Sequence, residues 1–248
     1  DFTGMIGDPT DRTAARKKLT HQQVLENAKT YKEQISKILN FSGKNPVEIK
    51  FNSEWLAKLS FAEVIELASH LTAQQMLERD FFQQRLKENK PIHLHEFLYP
   101  LMQGYDSVVM DVDAEIGGTD QTFNMLIGRT LMKTLKKKEK FVITVPLLEG
   151  LDGRKMSKSF NNFVAITDEP QEMFGKVMSL NDNLIITYFK LATQIPDAEI
   201  QSIEREVQLN DTSQLEVKKR LAWEIVKLYH GEKAANNAQK EFEKVFQK

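Results

Sequence analysis

The feature that most constrains the fold of this chain is the point at which strand signals stop. Up to Leu148, short β-branched or alternating runs (Val47–Asn52, Ser107–Asp111 and Phe141–Leu148) are interleaved with stretches of helical periodicity. From Asp168 onward no such run occurs and every segment carries helical spacing. Interleaved strands and helices imply a mostly parallel sheet, and a strand-free remainder implies a separate helical layer. The fold class expected is therefore α/β followed by an all-α domain.

Helix starts are marked within this frame. Thr20 with Gln23, Ser60 with Glu63, and Thr72 with Gln75 are capping-box patterns. Behind the first, Val24, Ala28, Tyr31, Ile35 and Ile38 recur on one helical face. The other boxes predict helices over Phe61–Leu71 and Ala73–Lys87, and Asp120 opens a long one to about Lys138. Pro170 suits a first helical turn, and helices are predicted over Gln171–Met178, Leu184–Gln194, Asp197–Gln208, Gln214–His230 and from Glu232 to the end. Gly231 is a helix stop. Asp1–Asp8 has the pattern of a strand end running into a glycine-rich turn.

Composition excludes several classes. The 34 basic residues nearly balance the 35 acidic ones, so RNA contact through bulk charge is excluded and any such contact needs a local patch. There is no cysteine, which rules out disulfides and thiolate metal sites and suits a reducing cytoplasm. No apolar run approaches the roughly 18 residues of a membrane span.

Three segments carry chemistry. Leu151–Asn162 contains Lys155-Met156-Ser157-Lys158-Ser159, two lysines among small hydroxyl residues just after Gly153, on the heels of an apolar strand. Such a loop is either a solvated surface or a grip for a polyanion, and its place after a strand favours the second. In Tyr99-Pro100-Leu101-Met102-Gln103-Gly104-Tyr105-Asp106, a helix started by Pro100 puts a phenol, an amide and a carboxylate on one face. That face is either exposed or built around a small polar ligand. Gly117-Gly118-Thr119-Asp120-Gln121 lets the backbone approach a ligand at a helix N-terminus, or is an ordinary loop capped by Asp120. Gly4, Gly7, Asp8 and Pro9 form a further turn. Lys136, Lys137, Lys138 and Lys140 complement a helix C-terminus. His93 and His95 lack further ligands at metal spacing, and Asp111 and Asp113, at a strand end, are structural acids rather than a catalytic pair.

Taken in order, these segments resemble the bacterial tyrosyl-tRNA synthetases, a class I family, over nearly the whole chain. KMSKS alone marks the class, including the related tryptophanyl enzymes; Tyr99, Gln103 and Asp106 with the Gly-Gly-Thr-Asp-Gln run mark the tyrosine version. The resemblance implies a Rossmann-type catalytic domain over residues 1–167, with a helical insertion between about Thr10 and Leu98, and an α-helical anticodon-side domain over 168–248. It implies tyrosine-tRNA ligase activity with L-tyrosine, ATP, accompanying Mg2+ and tRNA(Tyr), in a cytoplasmic homodimer joined through the insertion. Asp8, Tyr99 and Gln103 would hold the tyrosine α-amino group with Thr3 beside them; Asp106 would take the phenol, and Gln121 would lie along the substrate. Gly118 and Asp120 would face the ribose. Lys155 and Lys158, with Met156, Ser157 and Ser159, would hold ATP and stabilise the departing pyrophosphate. Lys218, Lys219, Arg220 and Lys227 are candidate tRNA phosphate contacts.

The chain also departs from the family. Its five histidines, His21, His70, His93, His95 and His230, do not form the His-x-Gly-His motif of the class. The expectation is a fragment whose motif lies upstream and whose C-terminal RNA-binding module is missing, poorly active by itself; the alternatives are a tryptophanyl-tRNA synthetase, against which Asp106 and Gln121 argue, and a non-catalytic RNA-binding relative. Thr122-Phe123-Asn124-Met125 replaces the family's common Trp-Gly-Asn and resembles a second bacterial subtype.

Overall fold

Capping decides where the first helices begin. Thr20, Ser60 and Thr72 each accept a hydrogen bond from the backbone N–H three residues on, and Gln23, Glu63 and Gln75 return one to the cap. All three predicted boxes therefore start helices. The computed structural model describes residues 1–9, 18–157, 160–209 and 213–246, so residues 10–17, at the start of the expected insertion, lie outside the described residues. Two compact units form: Asp1–Glu33 with Phe41–Leu147, and Gln34–Asn40 with Leu148–Lys248. They part ahead of the change of texture at Asp168, and the Lys155 segment belongs to the second.

The first unit runs α1 (Phe2–Ile6), α2 (His21–Ala28), α3 (Tyr31–Ile35, which spans the division at Glu33), α4 (Ser53–Leu56), α5 (Phe61–Ser69), α6 (Ala73–Leu77), α7 (Asp80–Lys87), α8 (Leu94–Met110), β1 (Ala114–Gly118), α9 (Thr122–Leu131) and β2 (Phe141–Val145). β1 pairs with β2 in parallel, from Ala114 opposite Phe141 to Gly118 opposite Val145. With α9 as the crossover this is a βαβ unit, the building block of the expected Rossmann-type sheet. Leu67, Leu101, Val108, Ile127, Leu131 and Met132 form its apolar core. Helices α8 and α9 touch closely: a Cβ on Gly104 would meet Ile127 Cγ2 at 2.9 Å and the Gly128 backbone nitrogen at 3.0 Å.

Several sequence expectations fail here for physical reasons. Asp1–Asp8 is not a strand end: the Asp1 carboxylate accepts from the Phe2 N–H and Gly7, at φ 80°, closes a short helix. Val47–Asn52 alternates like a strand, but no strand forms there among the described residues, since alternation supplies no partner and Asn52 is drawn inward. Ser107–Asp111 is the end of α8, not a strand. Its burial pattern is helical, with Ser107 and Val108 buried and Val109 and Met110 exposed. Pro100 lies inside α8 rather than at its start, which is set by His93 and Glu96. The predicted helix over Ala73–Lys87 breaks at Arg79, whose guanidinium sits 4.4 Å from the Phe81 ring and 4.6 Å from that of Phe123. Lys140 does not serve a helix C-terminus; it is buried against Glu115, while Lys137 does donate to the Thr134 carbonyl at 3.1 Å. Asp111 caps α8 in the left-handed region and, with Asp113, pairs with Lys138, so both acids are structural.

The second unit is helical: α10 (Pro170–Met178), α11 (Ile185–Ala192), α12 (Asp197–Gln208), α13 (Gln214–His230) and α14 (Glu232–Phe246). Val217, Leu221, Ala222, Ile225 and Val226 lay one face of α13 into a core with Met173, Phe174 and Val177 of α10. Ala235 and Ala238 let α14 approach, and the Phe174 and Phe242 rings stand 5.4 Å apart. Gly231 stops α13 at φ 84°, as its sequence position suggested.

One buried ion pair fixes the approach to α8. Arg85, 1% exposed, donates to both oxygens of Glu96, at 2.6 and 2.9 Å, and also to the Pro91 carbonyl. Burial pushes the Glu96 carboxyl up, but Arg85 and the His93 N–H outweigh it and hold the pKa below its ordinary value. Its contribution is present above about pH 4.3 and is lost as pH falls through the depressed value. Glu96→Ala strands the buried guanidinium and should cost about 3–5 kcal/mol in urea melts, whereas Arg85→Met with Glu96→Leu should cost far less. Equal losses would show that the charge pairing is not the cause.

Candidate active site

Helix α8 places Tyr99, Gln103 and Asp106 at successive turns of one face, as predicted, and all three are partly buried. Asp106 is held at both oxygens. Trp55 Nε1 donates to Oδ1 at 2.7 Å, and Asn52 Nδ2 donates to Oδ2 at 3.0 Å. The same Asn52 amide donates to Thr3 Oγ1 at 3.1 Å, and its oxygen accepts from the Phe2 N–H at 2.8 Å. Burial raises the pKa of Asp106, opposed by the Asn52 and Trp55 bonds. Each oxygen keeps acceptor capacity, so the carboxylate is set to take a hydrogen bond from a hydroxyl entering a partly dry site.

Gln121 joins Asp8 to α9: its Nε2 donates to Asp8 Oδ2 at 2.7 Å, and its oxygen accepts from Asn124 Nδ2 at 2.9 Å. Gln103 donates to Glu115 on β1 at 3.1 Å. Glu115 in turn takes Ser107 Oγ at 3.2 Å and the buried Lys140 ammonium, so a polar network backs the α8 face. Gly118 and Asp120 lie where β1 ends and the chain turns into α9, the edge where parallel sheets bind ligands. A Cβ on Gly118 would meet the Asp120 carboxylate at 2.6 Å and Leu147 Cδ2 at 2.7 Å, so a larger residue there would push both side chains aside. A cavity of about 330 Å³ opens here between Glu78–Phe81 and Thr119–Phe123. A second, apolar cavity of about 420 Å³, between Leu56, Leu67, Leu98 and Leu101, is lined by none of the predicted site residues.

The structure thus brings Thr3 and Asp106 together through Asn52, and Asp8 together with Gln121. Asn52, Trp55, Glu115 and Asn124 were absent from the sequence prediction. Asn52 was hidden in the supposed strand, and the three-residue spacing from Asn52 to Trp55 was the only available signal.

In the second unit, Lys155 follows a tight turn. Gly150 N–H donates to the Arg154 carbonyl at 2.7 Å, Gly153 takes φ 77°, and Glu149 pairs antiparallel with Lys155. Met156 and Ser157 continue this segment, with the Ser157 N–H bonded to Asn162 Oδ1 at 2.9 Å; Lys158 and Ser159 lie outside the described residues. The four candidate phosphate contacts of α13 are engaged elsewhere. Lys218 pairs with Asp182 at 2.6 Å, buried Lys219 with Glu216 and Glu243, Arg220 with Glu199, and Lys227 lies 4.7 Å from the Trp223 ring. They do not form a free basic patch.

Comparison with known proteins shows the family. A tyrosine--tRNA ligase of Moorella thermoacetica is 50% identical over 248 residues, covering 100% of this chain and 59% of its own length. The tyrosine--tRNA ligase of Haemophilus influenzae is 51% identical, covering 100% of this chain and 61% of its own. The chain therefore spans about three-fifths of the curated relatives it matches. A C-terminally truncated Aspergillus nidulans mitochondrial tyrosyl-tRNA synthetase superposes with a TM-score of 0.72 at 22% identity, over 98% of this chain and 74% of that one, and shares the fold. The family profile of tRNA synthetases class I (W and Y) matches residues 1–247. A parallel βαβ unit ending in a glycine turn, an α8 face of oriented polar groups and a lysine loop are what that match covers, and the chain belongs to the class I tRNA synthetases of the tryptophan and tyrosine group.

Proposed function

We propose that this chain carries the amino-acid-activating machinery of a tyrosine-tRNA ligase, which joins L-tyrosine to the AMP moiety of ATP with release of pyrophosphate and then passes the tyrosyl group to tRNA(Tyr), releasing AMP. The observation that carries the tyrosine reading is Asp106, partly buried, with both oxygens oriented by Asn52 and Trp55. A site built to accept a hydrogen bond from a buried hydroxyl rejects an analogue lacking it, because the carboxylate's remaining acceptor capacity is then desolvated and unmet. The tyrosine--tRNA ligases among its relatives support the same choice over tryptophan.

Activation is an in-line attack of the tyrosine carboxylate on the α-phosphate, so the protein supplies position and charge stabilisation. In this reading Asp8, Tyr99 and Gln103 hold the α-amino group, with Thr3 beside them, and Gln121, tied to Asp8, lies along the substrate. Gly118 and Asp120 take the ribose. ATP arrives with Mg2+, and Lys155 and Lys158, with Met156, Ser157 and Ser159, bind its phosphates more tightly as pyrophosphate departs. Residues 1–167 act as the catalytic segment and 168–248 as the anticodon-side segment, a division by role. We place the protein in the cytoplasm; no described helix is long and apolar enough to cross a membrane. A homodimer through the insertion is supported by Phe61, Ile65 and Leu94, which are 80%, 55% and 82% exposed on α5 and α8.

ATP–pyrophosphate exchange by the full-length protein should depend on tyrosine. Exchange with tryptophan alone would overturn the assignment, and none with any amino acid would favour a non-catalytic RNA-binding relative. Asp106→Ala should lower kcat/KM for tyrosine by roughly 10- to 150-fold, the worth of about 1.5–3 kcal/mol for a charged hydrogen bond, and move phenylalanine far less. Leu94→Asp should halve the mass seen by light scattering; an unchanged mass would place the interface elsewhere.

A further inference from the structure

Asn162 lies just beyond the lysine loop and has no part in the roles assigned above. It is 5% exposed, and its carboxamide is almost fully used. The oxygen accepts from the Ser157 N–H at 2.9 Å. The nitrogen donates to Asp152 Oδ1 at 2.8 Å and to the Lys155 carbonyl at 3.3 Å. Its own backbone carbonyl accepts from the Leu151 N–H at 2.8 Å. One side chain thus ties both strands of the turn that precedes Lys155 to the residues that follow it.

The fit is close enough to dictate a neighbour. A Cβ on Gly150 would lie 2.1 Å from the Asn162 amide nitrogen and 2.8 Å from its backbone oxygen. Gly150 has to be glycine because Asn162 fills the space a side chain would take. Asp152 is drawn in on the same terms. The Asn162 bond first, and Arg154 second, hold its carboxyl down to about 2, so it stays an acceptor throughout the physiological range.

We propose that Asn162 is a positioning residue for phosphate binding: its carboxamide sets the backbone path of Lys155–Ser157 and so aims the Lys155 ammonium. The proposal rests on the reading that Lys155 meets the phosphates of ATP. An amide suits the task because the path needs an acceptor for one N–H and donors for a carbonyl and a carboxylate at a single point. Aspartate there could not donate and would face Asp152 with like charge; alanine would remove all three side-chain bonds, leaving Asp152 to Arg154 alone. Lysine has no directional fork of its own, so its aim depends on how its backbone is held.

The test is ATP–pyrophosphate exchange by the full-length protein carrying Asn162→Ala, Asn162→Asp or Gly150→Ala, the last displacing the amide without changing it. Misplacement of about 1 Å at a reacting group costs on the order of 10²-fold, and that loss is expected in kcat/KM for ATP. KM for tyrosine should stay unchanged, since the clamp touches none of the residues assigned to tyrosine. Wild-type ATP kinetics in all three variants would overturn the proposal. So would equal losses toward ATP and tyrosine that track the folded fraction, which mark a merely structural role. If Asn162→Ala does not fold, Asp152→Ala, which removes one partner from a half-buried position, should show the same ATP-selective pattern at smaller amplitude. Amide hydrogen exchange at Ser157 separates the clamp from the reading beneath it. Faster exchange in Asn162→Ala supports the clamp, even where an inactive parent overturns the phosphate role; unchanged exchange overturns the clamp itself.

Discussion

The first unit depends on how closely α8 approaches α9. Gly104 sits against the Gly128 backbone, and a Cβ on Gly128 would in turn meet the Lys140 ammonium at 2.5 Å and Ser107 Oγ at 2.8 Å. Two glycines thus open the room in which a buried lysine crosses behind α8 to reach Glu115 on β1. Without that approach the Ser107, Glu115 and Lys140 groups would be separated and each would bear its desolvation cost alone. With it, the polar face of α8 rests on a paired network, and Gln103 shares that network through Glu115.

The same economy of pairing governs the partly buried carboxylate of α8. Asp106 is costly to bury, as its raised pKa shows, and it is tolerated because Asn52 and Trp55 donate to it. Those two donors come from the start of α4, which also reaches Thr3, so one asparagine links three chain segments. Preorganisation of this kind fixes the direction in which the carboxylate accepts, and direction is what distinguishes a hydroxyl from a hydrogen. In the second unit Asn162 plays the matching part around Lys155. In both places an amide, with a donor and an acceptor on one short stem, orients a charged group that cannot orient itself.

Much of the site was legible in local chemistry. Tyr99, Gln103 and Asp106 do share a helical face, because that depends only on a 3.6-residue period and on the segment being helical. The capping boxes and the Gly231 stop held for the same reason: their hydrogen bonds close within four residues. What failed were segments whose state is decided by distant partners. Ser107–Asp111 has the residues of a buried strand, yet Ser107 and Val108 were claimed by a helix already running from Leu94. Val47–Asn52 alternates, but a strand needs a neighbour and none adjoins it among the described residues. The pairing of Lys218, Lys219 and Arg220 with Asp182, Glu243 and Glu199 is likewise set by folding and is not readable along α13.

The sequence by itself determined the chemical inventory: a lysine loop behind a glycine, a polar helix face, glycines at a strand end, and a division between mixed and purely helical structure. Those depend on residue type and on spacings short enough to be read along the chain. Only the tertiary structure decided which groups would be buried and who would pair with them. Asn52 with Asp106, Lys140 with Glu115, Arg85 with Glu96 and Asn162 with Asp152 are pairs joined by folding, 54, 25, 11 and 10 residues apart. Drier surroundings strengthen the attraction within such a pair while imposing a desolvation cost on each member, and no spacing along a chain records where that balance will be struck.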